Sequence, residues 1–303
     1  MSEIVLYFAG IKIPVNQPET SRPELYTEHQ DYGYSLWPSR SMTYLYPRNN
    51  PRTLTVNSNS DGFRNRREYD EPDRRTRILV VGDSFVFGEG VEEYERFTDV
   101  LETMHAGWRV DNLGMTGYGP GLMVRALEKI VLKAEPDVVL FCIYTDDFRR
   151  VRPSYAGAGF RIPRFIIKSG ALVTVPYPEP RIWDKSRLYQ AVRAVYWKYS
   201  GALYDLNEAI LDRFLKLSED FAFAPAFVFL PGEYDTSNDI ERRTWLKNYT
   251  LMRKVPFVDL TEPIHAAGRK NTFIKDNWHY NPVGHRTVAA EIKKFLVNKV
   301  LNE

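Results

Sequence analysis

The 303-residue chain is 44% hydrophobic and carries 41 basic against 39 acidic side chains, a formal net charge of +2. That length buries an ordinary core, as one large domain or one domain with an added lobe. The even charge balance argues against nucleic acid as a partner, since a nucleic-acid footprint needs a clustered basic excess. The single cysteine, Cys142, excludes an internal disulfide framework; lying in an apolar run, it reads as a small buried hydrophobe, with a reactive thiol as the alternative.

In chain order, Met1–Lys12 holds a short apolar run with no basic segment ahead of it and no small-residue cleavage site. It is too short to span a membrane. The expectation is a soluble, cytoplasmic protein without an integral membrane segment, or an extracytoplasmic one if the chain is a trimmed form. Tyr26, Tyr32, Tyr34, Trp37, Tyr44 and Tyr46 then alternate with prolines and polar residues, which predicts short strands and turns. Such aromatics form a satellite core or line a cleft, and the satellite core is the reading adopted. Arg64, Arg66, Arg67, Arg74, Arg75 and Arg77 are interleaved with Glu68, Asp70, Glu71 and Asp73, which reads as a solvated mixed-charge linker rather than a phosphate-binding patch.

From Arg77 onward strands and helices alternate. Ile78–Val81 is a β-branched run closed by Gly82 and reads as a buried strand that delivers Ser84 at its carboxyl end. In open α/β sheets ligands bind at that edge. Helices follow over 94–105 and 122–134, with strands over 109–113 and 138–143. Further strands over 226–230 and 255–260 and a final helix over 282–301 complete the pattern. Strands joined by helical crossovers predict a parallel sheet covered on both faces. Between Arg149 and Asp184, five prolines and the run Ile166–Val173 predict an irregular excursion with a small hairpin, placed to overhang the sheet edge.

Late in the chain, Asp276 and His279 precede a helix opened by Asn281, Pro282 and Gly284. A serine at a strand end with a late aspartate and histidine is enough to build a nucleophile, a general base and an orienting carboxylate. Of the five histidines, only His279 has such a setting; His285 suits capping or packing.

Three ordered blocks carry a resemblance. Gly82-Asp83-Ser84 with Phe85 and Phe87-Gly88, then Asn112-Leu113-Gly114-Met115-Thr116-Gly117, then Asp276-x-x-His279, resemble the SGNH (GDSL-like) hydrolase superfamily. The lead-in Thr55–Arg64 resembles a segment found before the first block in a subset of that family. The resemblance implies a three-layer α/β/α sandwich with a five-stranded, mainly parallel, flavodoxin-like sheet. It implies a catalytic domain over 77–303, inserted at about 149–184, with 1–76 as an N-terminal extension packed on it. It further implies a triad of Ser84, Asp276 and His279, with an oxyanion hole from the Ser84 and Gly117 amides. No cofactor and no metal are implied.

One block departs from the pattern. The family's Gly-x-Asn-Asp stands here as Tyr144-Thr145-Asp146-Asp147, placing Asp146 where a donating asparagine is expected. An ionised aspartate donates nothing. Three expectations follow: a protonated Asp146, a donor moved to Thr145 or a neighbouring loop, or an altered activity. Asp83, Tyr118 and Trp278 are candidate substrate contacts, although Asp83 also suits a capping role and Asp147 a brace for its loop. The function implied is a serine esterase acting on an O-acyl ester of a small molecule, carbohydrate or natural product. An O-acyltransferase with the same triad and an impaired ligand-binding protein stand as alternatives.

Overall fold

The computed structural model describes residues 22, 24–46, 51–152, 160–176 and 186–301. The apolar run near the amino terminus, Pro153, Pro178 and Pro180 lie outside them.

Two antiparallel hairpins come first: β1 (Tyr26–His29) with β2 (Gly33–Leu36), then β3 (Ser41–Tyr46) with β4 (Arg52–Asn57). The first strand of the main sheet is β5 (Thr76–Gly82), followed by the short helix α1 (Ser84–Phe87) and α2 (Phe97–Thr103). Next come β6 (Trp108–Gly114), α3 (Pro120–Ala134), β7 (Val138–Tyr144) and a 3-10 turn over Thr145–Val151. The hairpin β8 (Arg164–Lys168) and β9 (Ala171–Val175) falls where the apolar run Ile166–Val173 predicts one. The remainder is α4 (Arg187–Tyr199), α5 (Ala202–Phe221), β10 (Ala224–Leu230), α6 (Ser237–Arg253), β11 (Phe257–Asp259), α7 (Thr261–Ala266), α8 (Arg269–Thr272) and α9 (Pro282–Phe295).

The main sheet runs β11-β10-β7-β5-β6, every neighbouring pair parallel. Its strands, the half-buried edge strand β11 excepted, are buried on both faces because residues alternate between two cores. Ile78 and Val80 pack with Phe97, Leu101, Val288 and Ile292 on the face covered by α2 and α9. Leu79 and Val81 pack with Leu127, Ile130, Ile210 and Phe214 on the face covered by α3 and α5. The result is the three-layer α/β/α sandwich with a flavodoxin-like strand order. After β6 the chain crosses back over β5 to form β7, so the sheet's switch point lies between β5 and β7. A crevice opens at the carboxyl ends of strands at such a point.

Two expectations are corrected here. Tyr26, Tyr32, Tyr34, Tyr44 and Tyr46 belong to the same apolar core as Leu79 and Phe214, not to a satellite. The arginine-rich segment is not a solvated linker. Arg64 is fully buried and donates to the carbonyls of Gly88, Thr55 and Val91 at 2.8, 2.9 and 2.9 Å. Arg66 pairs with Glu93, Arg67 with Glu102 and Arg75 with Asp73. A run of mixed charge reads as a solvated face, but Arg64 turns inward and clamps the loop after Ser84, while Arg66 and Arg74 stay exposed.

Candidate active site

β5 delivers Ser84 to the switch point. Gly82 is required for space rather than for turning: a Cβ there would meet Val86 Cγ2 at 2.2 Å and Cys142 Cβ at 3.3 Å. Asp83 caps α1, accepting the Phe85 amide at 3.0 Å. Ser84 therefore opens the helix with its side chain at the carboxyl edge of the sheet, buried among neighbours.

His279 arrives on the loop between α8 and α9. A lone bridge pairs Phe273 with Tyr280, and Asn281 caps α9 by accepting the Val283 and Gly284 amides. That frame sets His279 Nε2 2.8 Å from Ser84 Oγ. The other ring nitrogen, Nδ1, lies 2.7 Å from Tyr46 Oη and 3.0 Å from Asn277 Oδ1. Tyr46 Oη in turn donates to Asn277 Oδ1 at 3.0 Å. One proton assignment satisfies every contact. Ser84 donates to Nε2, Nδ1–H is shared between Tyr46 Oη and Asn277 Oδ1, and Tyr46 donates to Asn277.

Asp276, the expected carboxylate partner of His279, does not hold that place. It is exposed, and its backbone takes the left-handed conformation with φ at 59°. The loop turns at Asp276 and carries its side chain outward, while Asn277 Oδ1 receives both the His279 amide, at 3.0 Å, and Nδ1. Burial is the largest influence on His279 and lowers its pKa to about 4, while the Glu89 carboxylate pulls it upward.

The second loop is tied to the first by the Met115 amide, which donates to Gly82 O at 3.1 Å. Gly117 within it adopts a φ of 83°, a conformation that glycine reaches without strain. Tyr118 is fully buried and donates to Tyr34 O at 2.6 Å, so it packs the loop rather than meeting substrate. Asp83 is likewise buried as the helix cap. Trp278 is the exposed member of the three candidate substrate contacts, its ring 5.7 Å from that of His279.

After β7, Asp146 and Asp147 part company. Asp147 is fully buried and accepts the Tyr144 amide at 2.9 Å. Burial first, and then the Asp83 carboxylate, push its pKa well up. Arg150 joins the two carboxylates, bonding Asp147 and reaching Asp83 Oδ2 at 2.9 Å and Tyr118 O at 2.7 Å. Asp146 turns outward to Arg149, with Arg242 3.8 Å away. Ser84 Oγ has Asp83 Oδ2 as a second acceptor at 3.3 Å, longer than its bond to His279.

Tyr46, Asn277 and Arg150 enter the site unannounced by the motifs. Tyr46 has no sequence signal because it reaches His279 from a hairpin far upstream. Asn277 adjoins the block, and an asparagine two residues before a histidine offers a local side-chain acceptor. Among the described residues no group of three or more His, Cys, Asp or Glu side chains is arranged to hold a metal ion.

No family model matches the chain, and no curated protein matches it. Solved structures similar to it include a putative lipolytic protein of the G-D-S-L family from Desulfitobacterium hafniense. The two are 15% identical over 73% of this chain and 100% of that one, with a TM-score of 0.47. The psychrotrophic esterase EstA from Pseudoalteromonas sp. is 14% identical over 75% and 100%, with a TM-score of 0.48. An acetylxylan esterase from Geobacillus stearothermophilus is 18% identical over 73% and 94%, with a TM-score of 0.44. With its three ordered blocks and its β11-β10-β7-β5-β6 sheet, this chain is similar to the SGNH (GDSL-like) hydrolases.

Proposed function

We propose that this chain is a serine ester hydrolase that forms an acyl-enzyme on Ser84, with His279 as its general base and then its general acid. The observation that carries the reading is the 2.8 Å contact between Ser84 Oγ and His279 Nε2 at the sheet's switch point. A serine hydroxyl is a weak nucleophile until a base takes its proton. With Nδ1–H held by Tyr46 and Asn277, Nε2 is left as the acceptor that step needs.

On this reading Ser84 Oγ attacks the acyl carbonyl as its proton passes to Nε2. The tetrahedral oxyanion is met by the Ser84 and Gly117 amides. The imidazolium then protonates the departing alcohol, and a water activated by His279 releases the acid. Tyr46 and Asn277 take the orienting role of a triad carboxylate, although neither is charged. Asp83 would oppose the oxyanion from beside Ser84, and the Arg150 guanidinium bonded to it offsets that charge. Asp146 is turned to Arg149 and supplies no third donor, an omission that costs ~10²–10³ in turnover where it has been measured.

The segment before Thr76 is then part of the catalytic unit rather than an appendage, since Tyr46 lies on it. The tight surroundings of Ser84 favour a small acyl group such as acetyl. The exposed face of Trp278 suits the ring of a sugar or similar alcohol. Hydrolysis of an activated acetyl ester tests the reading: Ser84→Ala and His279→Ala should each lose at least about 10³-fold in kcat, with melting unchanged in Ser84→Ala, which removes only a hydroxyl. A Ser84→Ala protein that retains the parent rate overturns it.

A further inference from the structure

Glu89 is a buried carboxylate that the acyl-enzyme steps leave unused. It follows Gly88, which ends α1 in the left-handed conformation with φ at 78°, and its amide donates to Ser84 O at 3.0 Å. Its side chain is 2% exposed and has two partners. Oε1 bonds the Arg22 guanidinium, and Oε2 accepts Thr116 Oγ1 at 2.8 Å, next to Gly117 of the second loop.

The same carboxylate stands behind Tyr46. The Arg22 guanidinium that it holds lies over the Tyr44 and Tyr46 rings, 5.0 and 5.3 Å from their centroids. The backbone packs there too, since a Cβ on Gly90 would meet Tyr46 Cε1 at 2.8 Å. Tyr46 in turn reaches Nδ1 of His279, so Glu89 faces the imidazole from the side where a triad carboxylate would sit. Burial raises the hydroxyls of Tyr26, Tyr44 and Tyr46, and the Glu89 carboxylate raises each of them further, so none of the three adds a charge near neutral pH. The charges that bear on His279 are Glu89 and Asp83, opposed by Arg150 and Arg22. Asp83 stands on the Ser84 side, bonded to Arg150.

Burying a carboxylate is costly even when it is paired. A tether for Thr116 needs only a neutral acceptor. The charge has a use at His279, which is 6% exposed and becomes an imidazolium when the Ser84 proton passes to it. The two groups bonded to Nδ1, Tyr46 and Asn277, are both neutral. We propose that Glu89 is a positioning residue for the reaction, an anion that holds the imidazolium from behind Tyr46, and that Arg22 is the counter-charge that limits its pull. The inference rests on Ser84 reacting through His279.

Kinetics of the full chain on an activated acetyl ester test it, with Ser84→Ala as the reference. Glu89→Gln keeps the size of the side chain and an acceptor for Thr116 but removes the charge. It should lower kcat at least about tenfold with KM within about twofold, and move the acid limb of kcat/KM to lower pH. Arg22→Gln removes the opposing charge, so its acid limb should move up by about one pH unit. Thr116→Val removes the tether and keeps the charge, so its limb should stay with the parent's. Where Glu89→Gln does not fold, Arg22→Gln decides, since the Arg22 side chain is 30% exposed. The inference is overturned by a folded Glu89→Gln protein with the parent's kcat, by an Arg22→Gln limb that does not rise, or by a Thr116→Val protein that reproduces the Glu89→Gln shift. A parent rate kept by Ser84→Ala removes the nucleophile and this inference together. A rate that needs Ser84 but ignores Glu89 and Arg22 removes this inference alone.

Discussion

The Tyr46 hydroxyl lies 2.7 Å from Nδ1 of His279, across 233 positions of sequence. The pair joins the β3–β4 hairpin to the last loop of the sheet and fixes the imidazole with Nε2 toward Ser84. A phenol in this place orients the ring without supplying a formal negative charge. The imidazolium formed during turnover is therefore held by neutral dipoles and by the field of the buried Glu89.

Tyr46→Phe should lower kcat and leave KM unchanged, because the lost bond strengthens only when His279 is charged. A hydrogen bond to a charged group contributes about 1.5–3 kcal/mol, or roughly 10–100-fold in rate. Steady-state kinetics on a small ester separate the two constants, and an unchanged kcat removes Tyr46 from the account.

Asp276 and Asn277 should behave oppositely. Asp276→Asn alters an exposed group and should change kcat by less than about threefold, within the range of surface substitutions. Asn277→Ala strips an acceptor from the His279 amide, Nδ1 and Tyr46 together, and should cost at least about tenfold. A larger loss from Asp276→Asn would put the carboxylate back against His279.

How much of this was legible differs residue by residue. Ser84 and His279 stand in short motifs at strand and helix ends, where the local turn dictates the side chain's direction. For Asp276, spacing alone does not reveal that the backbone turns left-handed there and carries the carboxylate outward. Tyr46 and Arg64 were not legible, since each acts through a fold-level contact that places a hairpin or a charged run against the site. The strands and the final helix followed from periodicity.

Acid should act through histidines before carboxylates. Burial lowers His279 to about 4 and His285 to about 3, against 6.5 when exposed. As pH falls below 6.5 the unfolded chain takes up protons that the folded one refuses, so stability declines, until each folded pKa is reached. The depressed carboxyls of Glu93 and Glu102 begin to matter only below 4.5. The raised carboxyl of Asp147 acts in the opposite sense, so the test is a difference: between pH 6.5 and 4.5 the parent should lose more stability to denaturant than His285→Leu does. The acid limb of kcat/KM should lie near about 4, not near 6.5.

Asp146→Asn should change turnover by less than about fivefold, the size of losing an exposed ion pair worth up to ~1 kcal/mol. The carboxylate faces Arg149 rather than the hole, so an amide in its place gains no oxyanion to bond. A rise above tenfold would mean that the side chain swings inward to the oxyanion.

The most direct measurement is the mass of the intact protein after exposure to a fluorophosphonate, followed by peptide mapping. An activated serine displaces fluoride and keeps the phosphonyl group whatever its natural acyl substrate. One adduct is expected, on Ser84, absent in Ser84→Ala and formed far more slowly in His279→Ala. A parent protein that stays unmodified, or a Ser84→Ala protein modified as fast as the parent, would contradict it.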